Sequence, residues 1–245
     1  MIKSISIIFP IYNEEKRLKY CFKNILDFNK ISFIKNIEYI FVDDGSLDSS
    51  LDLIKQFSID NSKSNKTIKY KIIKNIRNKG KGSALAKGIS MASKEWLLTI
   101  DTDISVSLLE LNKWKKNEFF KKNYKIYFGS RNLKNSNVRY KIHRKIIGSI
   151  FILICKLLFN INLHDTQCGF KLYKKEVGKK IFGKIVDEKF AHDIEIVLIA
   201  RKYKIKIIEL PVKWVHKNEG KINLITDSLN MLVSLIKMKI NSKIS

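Results

Sequence analysis

A chain of 245 residues with a 45% apolar share can bury one large core, and ten glycines with two prolines exclude a collagen-like or Pro-rich disordered polymer. Its 48 Lys and Arg against 23 Asp and Glu leave a net charge of +25, which reads either as a solvated Lys-rich surface or as attraction to an anionic partner such as a phosphorylated substrate or anionic lipid. No aromatic-plus-basic RNA motif or helix-turn-helix pattern is present, so no nucleic-acid partner is expected; Cys21, Cys155 and Cys168 are far apart, odd in number and without CxxC metal spacing, which fits a reducing cytosolic setting best.

In chain order, Ile5 to Pro10 reads as a buried strand stopped by the proline, and Asn13 as the cap of a helix running to about Phe28. Ile37 to Val42 is a second strand, and Ser46 or Leu47 opens a helix to about Phe57. Ile68 to Lys74 is a third strand, followed by Gly80, Gly82 and a helix to Ala92. Trp96 to Ile100 is a fourth, mostly apolar strand. Tyr124 to Ser130 is a fifth strand, Arg139 to Ile161 a helix, and Gly169 to Tyr173 a short strand. Helices at 175–183 and 191–203, a strand from Ile205 to Val212 and an amphipathic helix from Lys221 to Ile240 complete the chain. This alternation predicts an α/β fold with a doubly wound, mostly parallel sheet and C-terminal amphipathic helices.

Ligands in such sheets bind outside the carboxyl ends of the strands. Three acidic or Gly-containing turns converge there, at residues 10–15, 43–48 and 101–105. Asp101 and Asp103 end the fourth strand one residue apart with no basic residue between them. Two such carboxylates repel unless a cation joins them, and a hard Mg²⁺ or Mn²⁺ ion suits their oxygens. Gly80 and Gly82, with Lys79 and Lys81, form a loop able to approach a pyrophosphate. Arg131 and Arg144 stand out in a chain that uses lysine almost everywhere else, and a planar guanidinium fork matches phosphate.

The ordered set FPIYNEEKRL (9–18), FVDDGSLDSS (41–50), NKGKGSALAKG (78–88), DTD (101–103), GSR (129–131), DTQCGFKLY (165–173) and FAHDIEI (190–196) resembles a family-2 glycosyltransferase of the GT-A fold. The subgroup it is most similar to is the dolichyl- or polyprenyl-phosphate sugar synthases, above all the β-glucosyltransferase type. The resemblance implies a transferase domain over 1–215, with a nucleotide-sugar half at about 1–105 and an acceptor half at about 106–215. Residues 216–245 would add a helix able to lie on a membrane.

The resemblance also assigns roles. Pro10, Tyr12 and Glu14 would sit near the nucleotide base, and Asp43 would hydrogen-bond it, with Gly45 and Ser46 letting the backbone come close. Lys79 and Gly80 would approach the diphosphate. Asp103 would ligate the divalent ion, and Asp101 would hold the ribose or sugar and support the metal. Arg131 would clamp the acceptor phosphate, with Arg144 as a second phosphate residue. Asp165 and Gln167 would face the sugar or acceptor, and Lys171 the phosphates. Asp193 stands where inverting relatives keep a general base, although an ionised phosphate acceptor needs little deprotonation.

The implied activity is inverting transfer of a hexose, glucose from UDP-glucose, to a polyprenyl phosphate on the inner, cytoplasmic face of a membrane. The alternatives are a GDP-mannose donor, a sugar-hydroxyl acceptor, a Mg²⁺-dependent phosphohydrolase built on Asp101-Thr102-Asp103, or a basic binding module without catalysis. The run Ile146–Ile161 falls short of the ~20 residues a spanning helix needs, so peripheral attachment through it and through Ile222–Ile240 is expected. The oligomeric state is left open.

Overall fold

The structure, a computed structural model, describes residues 2–62, 67–120, 124–139, 142–189, 191–216 and 224–240, and the side chains of 139, 142–147, 149 and 224–231 fall outside that description. Its first half runs β1 (Ser4–Ile11), α1 (Glu15–Ile31), β2 (Asn36–Asp43), α2 (Ser50–Ser62), β3 (Ile68–Lys74), α3 (Lys81–Met91) and β4 (Trp96–Thr99). The second half runs α4 (Glu110–Lys116), β5 (Ile126–Ser130), β6 (Asn137–Arg139), α5 (Ile142–Phe159), β7 (Lys171–Lys174), α6 (Lys175–Phe182), α7 (His192–Lys202), β8 (Ile207–Pro211), β9 (Lys213–Val215) and α8 (Leu224–Ile240).

Seven strands form one sheet in the order β3-β2-β1-β4-β7-β5-β8. Every neighbouring pair is parallel except those of β7, which runs antiparallel to both β4 and β5. Side chains alternate between the two faces with period two, as strand geometry requires. Ile5, Ile7, Phe9 and Ile11 pack with Leu18, Cys21, Ile25 and Phe28 of α1, whereas Ile8 packs with Ala84, Leu85 and Ile89 of α3. Both faces are covered, which is why the strands read as nearly continuous apolar runs. The helix–sheet spacing is tight at Gly88, where an added Cβ would lie 2.4 Å from Ile8 Cγ2.

Pro10 does not stop β1, which continues to Ile11. The Pro10 carbonyl accepts Thr102 Oγ1–H at 2.8 Å on the β4 side, and β4 pairs with β1 only over Ile5 to Ile8. By Pro10 no β4 carbonyl remains opposite, so the missing N–H leaves nothing unsatisfied. Asn13 does not cap α1; Glu14 holds the N-cap position. Asn13 adopts φ 52° instead, and its Oδ1 accepts Leu47 N–H at 2.7 Å. The second helix starts at Ser50, later than expected, because Asp48 bridges two segments: its carboxylate accepts Ser50 N–H at 3.0 Å and Glu15 N–H at 3.2 Å. The short helix α4 and the strand pair β6–β9 have no counterpart in the sequence reading. β6 and β9 pair in parallel, and Trp214 of β9 bridges to Val106.

Candidate active site

At the end of β2, Asp43 is fully buried, and its Oδ1 accepts Ser46 N–H at 3.3 Å. Its Oδ2 is buried without a hydrogen-bond partner, an acceptor held ready for an N–H. Gly45 takes φ 75°, and a Cβ there would lie 2.7 Å from the Arg77 carbonyl carbon, so the turn needs glycine for conformation and for space. Ser46 Oγ accepts Asn13 N–H at 2.9 Å, which ties the Asp43 turn to the loop holding Pro10, Tyr12 and Glu14. Asn13, Glu14, Arg17, Leu47 and Asp48 line a cleft of about 370 Å³ beside it.

Asp44 organises the next loop. Its carboxylate accepts Gly80 N–H at 2.7 Å, Lys79 N–H at 3.1 Å and Asn75 Nδ2–H at 2.8 Å. The N–H groups of Gly82 and Ser83 go to the carbonyls of Lys189 (3.1 Å) and Glu188 (3.0 Å). Gly80, with φ 112°, would place a Cβ 2.4 Å from the Glu188 carbonyl oxygen. The glycines therefore answer to loop packing, and the backbone donors of Lys79 and Gly80 are engaged by Asp44. What this loop presents toward β4 is the Lys81 side chain, whose Nζ lies 2.5 Å from Asp101 Oδ1.

Asp101 and Asp103 follow β4. A Cβ on Gly169 would sit 2.4 Å from Asp101 Oδ2, so this carboxylate lies between Lys81 and a residue that must lack a side chain. Asp103 Oδ1 accepts Ser105 N–H at 2.8 Å, and its Oδ2 lies 4.0 Å from Arg17. Burial, and next the Asp101 carboxylate, raise the Asp103 carboxyl above its ordinary value. Burial opposes the Lys81 charge, but Asp101 and Asp193 together raise its pKa. Two crowded carboxylates with oxygen donors fit a hard divalent ion. Among the described residues no group of three or more His, Cys, Asp or Glu side chains converges on a metal position. Asp101 and Asp103 would therefore supply two ligands, and phosphate oxygens and water the rest.

On the other side of β4, Arg131 and Asp165 form a forked pair, with Nε–Oδ2 at 2.7 Å and Nη2–Oδ1 at 2.9 Å, and Arg131 N–H also donates to Oδ2 at 2.9 Å. Burial would raise the Asp165 carboxyl, but the Arg131 charge outweighs it and holds it low. Glu209 of β8 accepts His164 N–H and Asp165 N–H, each at 2.8 Å, and so positions the segment that positions Arg131. Gln167 N–H donates to Asp165 Oδ1 at 3.0 Å, and its buried Nε2 has no hydrogen-bond partner. Gln167, Asp101, Ser105, Arg131 and Trp214 share one small crevice. Next to it lies a cleft of about 640 Å³ whose walls carry Arg131, Lys156 and His164 among Val138, Ile152, Ile161 and Leu163.

Lys171 is buried, with its ammonium on the Asp193 carboxylate and the Thr166 carbonyl (2.9 Å). Against the effect of burial, Lys171 and then His192 and Lys81 hold the Asp193 carboxyl below its ordinary value. The His192 ring is buried, which lowers its pKa, and its Nε2 lies 3.4 Å from Asp193. Cys168 is buried and its thiol is pushed up to about 12, which removes it as a nucleophile. The Arg144 side chain lies outside the described residues.

The fold thus brings Asp43, Asp101, Asp103, Arg131, Asp165, Gln167, Lys171 and Asp193 to one end of the sheet. Sequence reasoning missed Arg17, Asp44, Gly169 and Glu209, and did not separate Lys81 from Lys79. In a chain with 48 Lys and Arg no single lysine stands out. The spacing Asp43-Asp44 offered two acids, of which the second serves the loop.

Comparison with known proteins bears on this geometry. Residues 6–182 match the model of glycosyl transferase family 2. The chain is 29% identical over 244 residues to the dolichyl-phosphate beta-glucosyltransferase of Dictyostelium discoideum, covering 96% of this chain and 73% of that protein. It is also 29% identical over 230 residues to the human dolichyl-phosphate beta-glucosyltransferase, covering 90% and 70%. Among solved structures it superposes on glucosyl-3-phosphoglycerate synthase from Mycobacterium tuberculosis, crystallised with Mn²⁺, UDP and glucosyl-3-phosphoglycerate. That likeness has a TM-score of 0.67 at 15% identity, covers 96% of this chain and 79% of the other, and shows the shared GT-A fold. With the motif order, the sheet order and a family match over most of its length in agreement, the chain belongs to glycosyl transferase family 2.

Proposed function

We propose that this glycosyltransferase moves glucose from UDP-glucose to the phosphate of a polyprenyl lipid such as dolichyl phosphate, with inversion at the anomeric carbon. The observation that carries this reading is the juxtaposition of the Asp101–Asp103–Lys81 cluster with a cleft whose cations, Arg131 and Lys156, stand among apolar walls. Such a lining suits a phosphate on a hydrocarbon chain. The names of the relatives support glucose and a dolichyl phosphate acceptor.

On the donor side, the buried Asp43 Oδ2 accepts the ring N–H of the base, with Tyr12 and Glu14 alongside. Asp103, with Asp101, would hold Mn²⁺ or Mg²⁺, which would supply positive charge to the departing diphosphate. The partnerless Gln167 Nε2 donates to a sugar or acceptor oxygen. An acceptor phosphate oxygen attacks the anomeric carbon from the face opposite UDP; the new C–O bond forms as the bond to the β-phosphate breaks, and UDP leaves with the electron pair. This chain's residues contribute by holding the two reactants in line and by placing cations around the phosphates.

A sugar-hydroxyl acceptor would need a base. Asp193 is engaged by Lys171 and held below its ordinary value, so it is a weak one. A phosphate acceptor arrives ionised and needs none, which favours the lipid phosphate. Family membership removes the phosphohydrolase and the non-catalytic module.

Residues 1–215 carry the transfer chemistry, and 216–245 add the helix that extends the lipid-facing side. Among the described residues no helix is long and apolar enough to cross a membrane. Ile150, Leu153 and Leu157 of α5, and Val233, Ile236 and Ile240 of α8, are exposed at helical spacing, and α5 and α8 are in contact. This face lies peripherally on the cytoplasmic leaflet, with the lipid cleft beside it.

The test is transfer from UDP-[¹⁴C]glucose to a polyprenyl phosphate in detergent micelles with Mn²⁺, read as label extracted into organic solvent. Label in the organic phase that depends on Asp103 supports the reading. Label from GDP-mannose alone, or from neither donor onto any polyprenyl phosphate, would overturn it.

A further inference from the structure

Three of the carboxylates at this end of the sheet each lie near a cation of this chain. Lys81 lies on Asp101 at 2.5 Å, Lys171 on Asp193, and Arg17 stands 4.0 Å from Asp103. Of the three cations, Lys171 is buried at 1% exposure, and Arg17 is anchored by Glu14 at 2.5 Å. Lys81 is different. Its backbone sits at the first residue of α3, between N–H groups held by Asp44 on one side and by the 188–189 carbonyls on the other. Its long side chain reaches across to Asp101 and remains partly exposed, as does Asp101. The backbone is fixed, and the side chain alone spans the distance to Asp101.

We infer that Lys81 makes divalent-ion binding at Asp101 and Asp103 conditional on the donor's diphosphate. The inference rests on the donor site proposed above. A divalent ion arriving alone must share Asp101 with an ammonium, and two like charges on one carboxylate repel. A diphosphate arriving with the ion gives Lys81 a second anionic partner, so the ammonium leaves Asp101 and neutralises phosphate charge instead. Gly169 lies on another side of the same carboxylate, where a Cβ would come within 2.4 Å of Asp101 Oδ2, so Asp101 packs on the 169 backbone while it faces Lys81. Metal and nucleotide are thereby coupled, and by linkage each tightens the other by the same factor. The benefit is a site that takes up metal together with substrate and not before it.

The experiment measures Mn²⁺ binding by the electron paramagnetic resonance signal of free Mn²⁺, alone and with saturating UDP, on the wild type, Lys81→Met and Lys81→Arg. Lys81→Met should bind Mn²⁺ alone about tenfold more tightly, the size expected even under water-like screening. UDP should then tighten Mn²⁺ binding less than in the wild type. Lys81→Arg keeps the charge and should keep weak metal-only binding. A merely structural role would not raise metal affinity. Folding is checked by circular dichroism, and Lys81→Gln serves by the same criteria should Lys81→Met misfold. Unchanged or weaker Mn²⁺ binding in the folded neutral variants, with UDP coupling intact in the wild type, overturns the inference. A wild type that binds no UDP with Mn²⁺ overturns the donor site itself, a different outcome.

Discussion

Gly169→Ala separates site geometry from fold. Gly169 is not among the positive-φ glycines, so alanine meets no backbone strain there. Its Cβ would, however, lie 2.4 Å from Asp101 Oδ2 and 2.6 Å from Cγ and Oδ1. Ordinary contact begins near 3.4 Å, so the carboxylate must move by about 1 Å. The Asp101 side chain is 40% exposed, so it can move toward solvent with little loss of stability. It cannot do so and keep its place beside Asp103. A displacement of about 1 Å in a positioned group costs about 10²-fold in rate, equivalent to roughly 2.7 kcal/mol of transition-state stabilisation. The assay is glucosyl transfer from UDP-glucose to polyprenyl phosphate, with thermal unfolding in parallel. The expected result is a loss of about 10²-fold in kcat/KM with Tm nearly unchanged. Gly148→Ala is the control, because nothing lies within 4 Å of its added Cβ and alanine favours the helix. Gly169→Ala with turnover near that of the wild type would refute the idea that Asp101 must lie against Gly169.

Other perturbations follow from the same contacts. Asp193→Asn or Lys171→Met alone leaves a buried charge uncompensated and should cost about 3–5 kcal/mol in urea unfolding. The double variant should recover part of that loss, and strictly additive losses would argue that the two groups do not interact. Arg131→Met removes the charge that holds Asp165 low. The pair's stabilisation is present above the unfolded carboxyl value of about 3.9 and is lost as pH falls through the lower folded value. The variant should lose about 3 kcal/mol at neutral pH and acid-unfold at a higher pH; an unchanged acid midpoint would contradict the pairing. Leu157→Glu with Ile236→Glu places charge on the exposed face of α5 and α8, so co-sedimentation with phosphatidylglycerol vesicles should fall severalfold at unchanged Tm. Full vesicle binding by that variant would refute this face as a membrane contact.

Much of the fold was legible because its signals are local. The strand Ile68–Lys74 was read to the residue, and Trp96 to Thr99, Ile37 to Val42 and helix α7 to within a residue or so. Period-two burial and acidic turns mark such elements directly. The short helix α4 and the β6–β9 pair were not legible, since α4 spans only seven residues and three-residue strands exist through their partners. Asn13 looked like a cap because its residue type suits one, but a contact with Leu47, 34 positions away, took its side chain.

The sequence by itself determined the α/β class, the doubly wound sheet and the family, and it pointed to the carboxyl end of the strands as the candidate site. Those follow from periodicity and from motifs a few residues long. The tertiary structure decided which of the many charges meet. It matched Lys81 to Asp101, Lys171 to Asp193, Arg131 to Asp165 and Glu209 to the 164–165 backbone. The reason is physical: a charge pair is defined by distance in space across 20 to 45 residues of chain, and residue type alone carries no record of that distance.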